Sequence, residues 1–286
     1  MRNALLSFLL TSLLLTACAS EELEADDEDT LAAEPDTGHE DANDEDPNDE
    51  EKGDEDRDGE DTGGVDIPAD AMIANHVIDS LEVGGRDDGF DLDGDGDVDN
   101  ALYIAGALLD PVLIQALNEA PVLLVLQCAE LNDWQDDAAF DLGLLTARDT
   151  DGDSSDNFSG TETFNADGMV DDDGAALLAT TLALESGRYE GTLLSDTLTI
   201  GSFELSLATP IHLAGAPSEA AHDAVLGMGI NTAALIAVLE TAGYGDAAAL
   251  LSGLSDLDTD EDGVNDAISA AFLASAVSCQ LQSPSR

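Results

Sequence analysis

The chain has 286 residues, of which 64 are acidic and only seven are basic, and its formal net charge at pH 7 is −57. A surface of this charge repels polyanions, so nucleic acid is excluded as a partner. The length allows one large domain or two small ones once any unstructured segment is set aside.

The first 18 residues have the composition of an export signal. Arg2 is followed by an apolar run over residues 4–15, which is too short to span a bilayer. Residues 15–18 read Leu-Thr-Ala-Cys and resemble the lipobox of bacterial lipoproteins. This resemblance implies export, acylation of Cys18 and anchoring to membrane lipid, with Ala19 favouring the outer membrane. The alternative is an ordinary signal peptide with an unrelated cysteine.

Residues 19–66 form a second compositional block, in which roughly half of the side chains are acidic and none is Phe, Tyr or Trp. So many like charges bury too little apolar surface to offset the entropy of ordering, which predicts a disordered acidic tether. Whether the length of this tether matters is left open. Residues 67–286 regain Leu, Ala, Val and Ile and are predicted to form one globular calcium-binding domain.

The first part of this domain mixes helical and strand patterns. Residues 71–83 suit a strand or a short helix. Apolar side chains at intervals of three and four predict two short helices between residues 99 and 118, the second starting at Asp110-Pro111 as a capping residue followed by proline. The apolar run 121–128 predicts a buried strand.

The middle of the domain is strand-like. Short apolar runs between residues 138 and 229 are separated by Gly, Asp, Asn and Ser, a spacing typical of strands and turns. Helical patterns return at 231–242 and 246–254, and a last helix is predicted from about residue 264 to 279. The predicted fold class is therefore α+β, with a β-rich, sandwich-like central part bracketed by short helices.

With Cys18 assigned to lipid, the two remaining cysteines form an even pair in an exported, oxidising setting. Cys128 follows an apolar run, and Cys279 is expected to share an inward helical face with Ile268 and Phe272. A disulfide between Cys128 and Cys279 is predicted on these grounds. Two buried free thiols are the alternative.

Two segments, residues 91–99 and 258–266, share one acidic template. Each places carboxylates at positions 1, 3, 5 and 9 and glycine at position 6. Alternating carboxylates can point several oxygens at one hard cation while glycine permits the sharp turn, which predicts Ca²⁺ binding at both segments, with Mg²⁺ second. The predicted ligands are Asp91, Asp93, Asp95 and Asp99 in the first segment and Asp258, Asp260, Asp262 and Asp266 in the second.

This template resembles the calcium loops of EF-hands, dockerins and thrombospondin type-3 repeats. The resemblance to EF-hands and dockerins implies an acidic ligand at position 12 of each loop. At that position this chain has Leu102 in the first segment and Ser269 in the second. The closing ligand is therefore expected from water, a backbone carbonyl or another segment. A weaker third segment offers Asp149, Asp151 and Asp153 as possible metal ligands, with Ser154 at the glycine position.

The string over residues 91–102 also resembles uncharacterised secreted lipoproteins of myxobacteria and their relatives, a group that implies no activity. No catalytic motif occurs in the sequence, and no catalytic residue is assigned. His212 and His222 are interpreted as structural. Three functions remain open: a non-enzymatic structural or adhesive surface domain, a binding module for a carbohydrate or an unknown envelope partner near Trp134, and a calcium-dependent hydrolase.

Overall fold

A computed structural model describes residues 72–119, 122–167, 170–171 and 174–282. The predicted signal segment, Cys18 and the predicted tether lie outside these described residues. The described residues all belong to a single compact unit.

The described chain is rich in strands. In chain order the elements are β1 (Met72–Val83), a 3-10 segment (Ala101–Ala105), α1 (Gly106–Glu119), β2 (Leu123–Leu131), β3 (Asp137–Asp149), β4 (Thr163–Ala166), β5 (Ala179–Leu184), β6 (Tyr189–Leu193), β7 (Thr197–Ile200), β8 (Phe203–Ser206), β9 (Ile211–Pro217), β10 (Ala221–Asn231), α2 (Thr232–Thr241), α3 (Gly245–Leu251) and β11 (Ala267–Gln282). The predictions of a strand-rich middle, a strand near residues 121–128 and two helices after residue 231 are confirmed.

Nine of these strands form one sheet, and β7 and β8 form a separate hairpin. β1 pairs antiparallel with both β2 and β11. β2 continues to β3 and β4, and β4 pairs parallel with the end of β11. Strands β1, β2, β3, β4 and β11 therefore close a circuit, while β10, β9 and β6 extend the sheet from the edge of β11 opposite β1.

The two faces of the sheet cover separate cores, because successive side chains of a strand point to opposite faces. The smaller core lies inside the closed circuit and includes Val77, Val125 and Phe164. The larger core receives the opposite faces of the same strands and is also covered by the 3-10 segment, the three helices and the β7–β8 hairpin.

α1 packs against β1 with its buried face. By length and composition the stretch Ala101–Asn118 could cross a membrane, but 44% of it is buried in the molecule, as in the core helix of a globular domain. The prediction that a helix starts at Asp110-Pro111 is wrong, because Pro111 lies inside α1. Asp110 is not a cap, since its carboxylate accepts the N–H of Val83 at 2.9 Å.

The last predicted helix is a strand instead, because residues 267–282 form β11. The apolar residues recur there at helical intervals, and alanine favours helices intrinsically. β11, however, is hydrogen-bonded to β1 on one edge and mainly to β10 on the other, and residues 267–272 are buried without interruption. A strand covered on both faces loses the period-two alternation that would identify it.

The predicted disulfide is absent, and both Cys128 and Cys279 are free thiols. Cys128 lies opposite Ala74 of β1, whereas Cys279 lies opposite the next residue, Asn75, on the other edge of β1. The two side chains therefore point to opposite faces of the sheet with a strand between them, and each contacts a different core. Cysteines whose Cβ vectors diverge in this way cannot be bridged without moving the backbone.

We expect both thiols to be protected in the folded protein and present after unfolding. Burial raises the pKa of each thiol to about 12, so little thiolate forms at pH 8. Iodoacetamide should label Cys128 and Cys279 slowly in native buffer and fully in urea without reductant, which peptide mapping measures. Recovery of a disulfide-linked peptide containing both residues would contradict this arrangement.

Candidate metal-binding loops

The two acidic segments are here named loop A, residues 91–99, and loop B, residues 258–266. Loop A lies between β1 and the 3-10 segment, and loop B lies between α3 and β11. Because Val83 near the end of β1 pairs with Phe272 near the start of β11, the sheet brings both loops to the same end of the molecule.

Each loop brings three of its predicted ligands together. One carboxylate oxygen from each of Asp91, Asp93 and Asp95 lies within 4.8 Å of the other two, and Asp258, Asp260 and Asp262 form an equivalent triad. Carboxylate oxygens at such separations repel one another unless a cation or donor groups lie between them. The structure thus places positions 1, 3 and 5 of each loop together, as the spacing predicts.

The first carboxylate of each loop is held by the turn that follows it. Asp91 accepts the N–H of Gly96 at 3.0 Å, and Asp258 accepts the N–H of Gly263 at 2.7 Å. Both glycines, at φ +94° and +87°, occupy the left-handed region, which costs a side-chain-bearing residue free energy. The two loops therefore use glycine at position 6 for the same backbone turn.

The ninth residue closes each loop at its base. The N–H of Asp99 donates to the carbonyl of Phe90, and the N–H of Asp266 donates to the carbonyl of Leu257, both at 2.9 Å. Phe90 and Leu257 each immediately precede their loop and contact β10, the former against Gly227 and the latter against Gly229. Both loops thus start from an apolar anchor on the same strand.

The carboxylates at position 9 fold back toward position 2 rather than joining the triads. Asp99 accepts the N–H of Leu92 at 2.7 Å, and Asp266 accepts the N–H of Thr259 at 3.1 Å and its hydroxyl at 2.9 Å. Partial burial raises the pKa of Asp99. The two donors of Thr259 lower the pKa of Asp266. Asp99 and Asp266 were predicted as ligands, but the structure places them at the loop closure.

The third acidic segment does not form a comparable cluster. Asp149, Asp151 and Asp153 each accept the N–H two residues further on, at 2.9, 2.8 and 3.1 Å. Within the part of the chain that the structure describes, metal-sized acidic triads occur only in loops A and B. With Ser154 at the glycine position, the segment lacks the turn that gathers the carboxylates in the other two loops.

Position 12 supplies no ligand in either loop. Leu102 and Ser269 are both buried, with exposed fractions of 1% and 0%. The Ser269 hydroxyl donates to the carboxylate of Asp256 and accepts the N–H of Ala101 at 2.7 Å. Ser269 thereby joins the segment leaving loop A to the segment entering loop B.

A second buried side chain ties loop A to the sheet. Asn100 donates from its amide nitrogen to the carbonyls of Gly84, Gly85 and Asp88 at 2.8–3.2 Å. Its amide oxygen accepts the N–H of Ala271 on β11 at 3.1 Å. Sequence reasoning missed this role of Asn100; an asparagine directly after the last aspartate of a loop was the available signal.

The other residues flagged in the sequence lie away from the loops or beside their anchors. Trp134 is partly buried against the larger core and approaches His76, with ring centroids 6.2 Å apart. His222 is fully buried, as its structural interpretation implies, and donates to or accepts from the hydroxyl of Tyr189 at 2.8 Å. His212 packs beside Phe90, with ring centroids 5.5 Å apart.

No protein-family model, curated protein or solved structure matches this chain.

We predict that Ser269→Ala destabilises the folded protein by about 1–3 kcal/mol, because Ala101 loses its acceptor and the Asp256 carboxylate loses a donor. Urea unfolding measures this difference. Ser252→Ala removes an exposed hydroxyl that bonds only to the carbonyl of Ala249, and should cost less than about 0.5 kcal/mol. Equal losses in the two variants would show that Ser269 does not join the loops.

Proposed function

We propose that this chain is an exported lipoprotein, anchored to membrane lipid through acylated Cys18, whose domain is stabilised by calcium at loops A and B. The observation that carries the calcium proposal is the structural equivalence of the two loops. Two sequence-distant segments gather carboxylates at the same three positions, turn at the same glycine and close through the same backbone bond. Unselected acidic turns would not be expected to agree in all three respects.

The donor set fits calcium better than other cations. Calcium accepts six to eight oxygen ligands in flexible geometry, whereas magnesium retains most of its water, and soft metals prefer nitrogen or sulfur. Asp91, Asp93 and Asp95 would hold the ion in loop A. Asp258, Asp260 and Asp262 would hold it in loop B. Carbonyl oxygens or water would complete each site in place of an acidic residue at position 12.

The ion would supply positive charge where the chain itself supplies none. Loops A and B each contain five acidic residues, and neither loop contains a basic residue. Extracellular calcium modules bind at about 10⁻⁴–10⁻³ M. Tenfold excess calcium would then add about 1.4 kcal/mol per site. Because the loops connect β1, the 3-10 segment and β11, calcium there would strengthen the joint between the sheet and its helical cover.

A non-enzymatic structural or adhesive role agrees best with this arrangement. The converging carboxylates lie in surface turns that fasten the ends of strands. The cavity between α1, α2 and the β7–β8 hairpin is lined only by apolar side chains such as Leu109, Phe203 and Leu239. It therefore offers no group for acid–base or nucleophilic chemistry.

Anchoring and the tether are supported by composition alone. Residues 19–66 would separate the domain from the membrane as an extended acidic spacer. Outer-membrane location and a surface or envelope partner belong to the same proposal. The two apolar clusters on opposite sheet faces are compatible with sandwich-like packing of the central strands.

Calcium is expected to raise the melting temperature of the full chain. If both sites fill, two increments of about 1.4 kcal/mol correspond to several degrees, by a general scale of about 2–4 °C per kcal/mol for domains of this size. Differential scanning calorimetry in EDTA, millimolar calcium and millimolar magnesium measures the shift, and titration calorimetry counts the sites.

Asp93→Asn and Asp260→Asn should each remove one binding event. Their matched controls are Asp97→Asn and Glu261→Gln, which remove the same charge from the same loops but lie outside the triads. The proposal fails if calcium causes no shift, or if the control variants lose as much binding as the triad variants.

Lipid anchoring is tested separately. In a bacterial host fed labelled palmitate, the wild-type chain should incorporate label and sediment with membranes, because two or more acyl chains anchor a protein stably. Cys18→Ser should lose both properties, whereas Cys279→Ser should keep them. Label retained by Cys18→Ser would refute acylation at this cysteine.

A further inference from the structure

Two histidine rings meet in the larger core at the end of the sheet remote from loops A and B. His76 on β1 and His222 on β10 both have exposed fractions of 0%. Their ring centroids lie 5.4 Å apart with the planes at 85°. Ser278 of β11 lies opposite His76, and Ala276 lies opposite His222, so only small side chains separate the rings across the intervening strand.

Each ring has one bonded nitrogen and one without a partner. Nε2 of His76 lies 2.9 Å from the carbonyl oxygen of Ser218 in the β9–β10 turn. A carbonyl only accepts, so Nε2 carries the hydrogen and Nδ1 is left as a bare acceptor. Nε2 of His222 shares a hydrogen bond with the Tyr189 hydroxyl. The Nδ1 atoms of both rings are buried with no hydrogen-bond partner.

The groups facing this pair carry no compensating charge. On β6 the facing group is Tyr189, and Cys128 of β2 lies close to that tyrosine. Burial raises the pKa of the Tyr189 hydroxyl and of the Cys128 thiol, so both groups are neutral. On the neighbouring strands, Pro217 of β9 lies opposite His222 and Leu126 of β2 lies opposite His76. On β11 the facing residues are Ala276 and Ser278. The loop after β2 contributes Trp134, edge-on to His76.

We propose that His76 and His222 form an acid-sensitive lock, which holds the β9–β10 turn against β1 while both rings are neutral and releases it when they are protonated. Protonating His76 places an N–H and a positive charge at a buried position with no acceptor. Protonating His222 does the same beside the first ring. Two positive rings at this separation also repel, so the closed arrangement requires neutral imidazoles.

The sign of the pH dependence follows from the neutral folded state. Burial lowers the pKa of both rings, and for His222 the neighbouring His76 adds to the effect and brings the pKa to about 3. The ordinary histidine value is 6.5. The contribution to stability is therefore complete above pH 6.5 and is lost as the pH falls below it, because the unfolded chain binds protons that the folded chain does not.

The test is urea unfolding of the full chain between pH 5 and 7 at fixed calcium. Trp134 is the only tryptophan of the sequence, so its emission reports from beside His76. Below pH 6.5, burial of neutral His222 should raise the unfolding constant by up to about tenfold per pH unit of acidification, and the lowered pKa of His76 acts in the same direction. The double variant Tyr189→Phe/His222→Leu removes one ring together with its hydroxyl partner, so its slope should be about one proton smaller than that of wild type.

His212→Gln is the matched control, since it removes an imidazole outside the pair, and the double variant should lose more of the slope than this control does. Hydrogen exchange, corrected for intrinsic rates, should rise on acidification at Ala221 and Ser278 before it rises at Gly84. NMR titration of the wild-type imidazoles decides the matter even if the double variant does not fold. Equal slopes in wild type and double variant, or a folded-state titration of either ring near pH 6.5, would overturn the proposal.

Discussion

The fold depends on the double pairing of β11. This strand is hydrogen-bonded to β1 along one edge and to β10 and β4 along the other, and its two faces contribute to the two cores. Backbone groups buried at this depth must be paired, so the sixteen residues of β11 fix the positions of three neighbouring strands. Removing β11 would open the closed circuit and expose the cores on both faces.

The small side chains of β11 also make room for the contacts at each end of the strand. At one end Ser269 joins the two acidic loops, and the N–H of Ala271 binds Asn100. At the other end Ala276 leaves the room in which His76 and His222 meet. A larger residue at any of these positions would force neighbouring side chains out of low-energy rotamers. The small alanine and serine side chains of β11 are thus what the packing requires.

Local patterns determined most of what the sequence could predict. The glycine and carboxylate spacing of loops A and B located two acidic triads correctly, because the turn and the triad arise within nine residues. Strands with clear alternation, such as β8, and helices with good caps, such as α2 after Asn231, were predictable for the same reason. In each case the deciding interactions lie a few residues apart.

Long-range contacts decided what the sequence could not predict. β11 is a strand because of β10, whose paired residues lie 36 to 56 positions away, and β1, whose paired residues lie 189 to 204 positions away. Cys128 and Cys279 remain thiols because pairing registers place them on opposite faces of β1. Asp99 and Asp266 were assigned as ligands from their position in the template, yet they bond to the second residue of each loop. The buried roles of Asn100 and Ser269 likewise require knowledge of which strand passes beside each loop.

Two kinds of buried polar side chain in this molecule fit different tasks. Asn100 makes four hydrogen bonds, and Gln127 donates to Asn75 and Gly174 and accepts from Ala176. Fully bonded groups of this kind specify one arrangement and resist change. His76 and His222 each leave a nitrogen without a partner in the same molecule. An incompletely bonded, titratable pair holds its arrangement only while both rings are neutral, which is the property that a responsive element needs and a purely structural one does not.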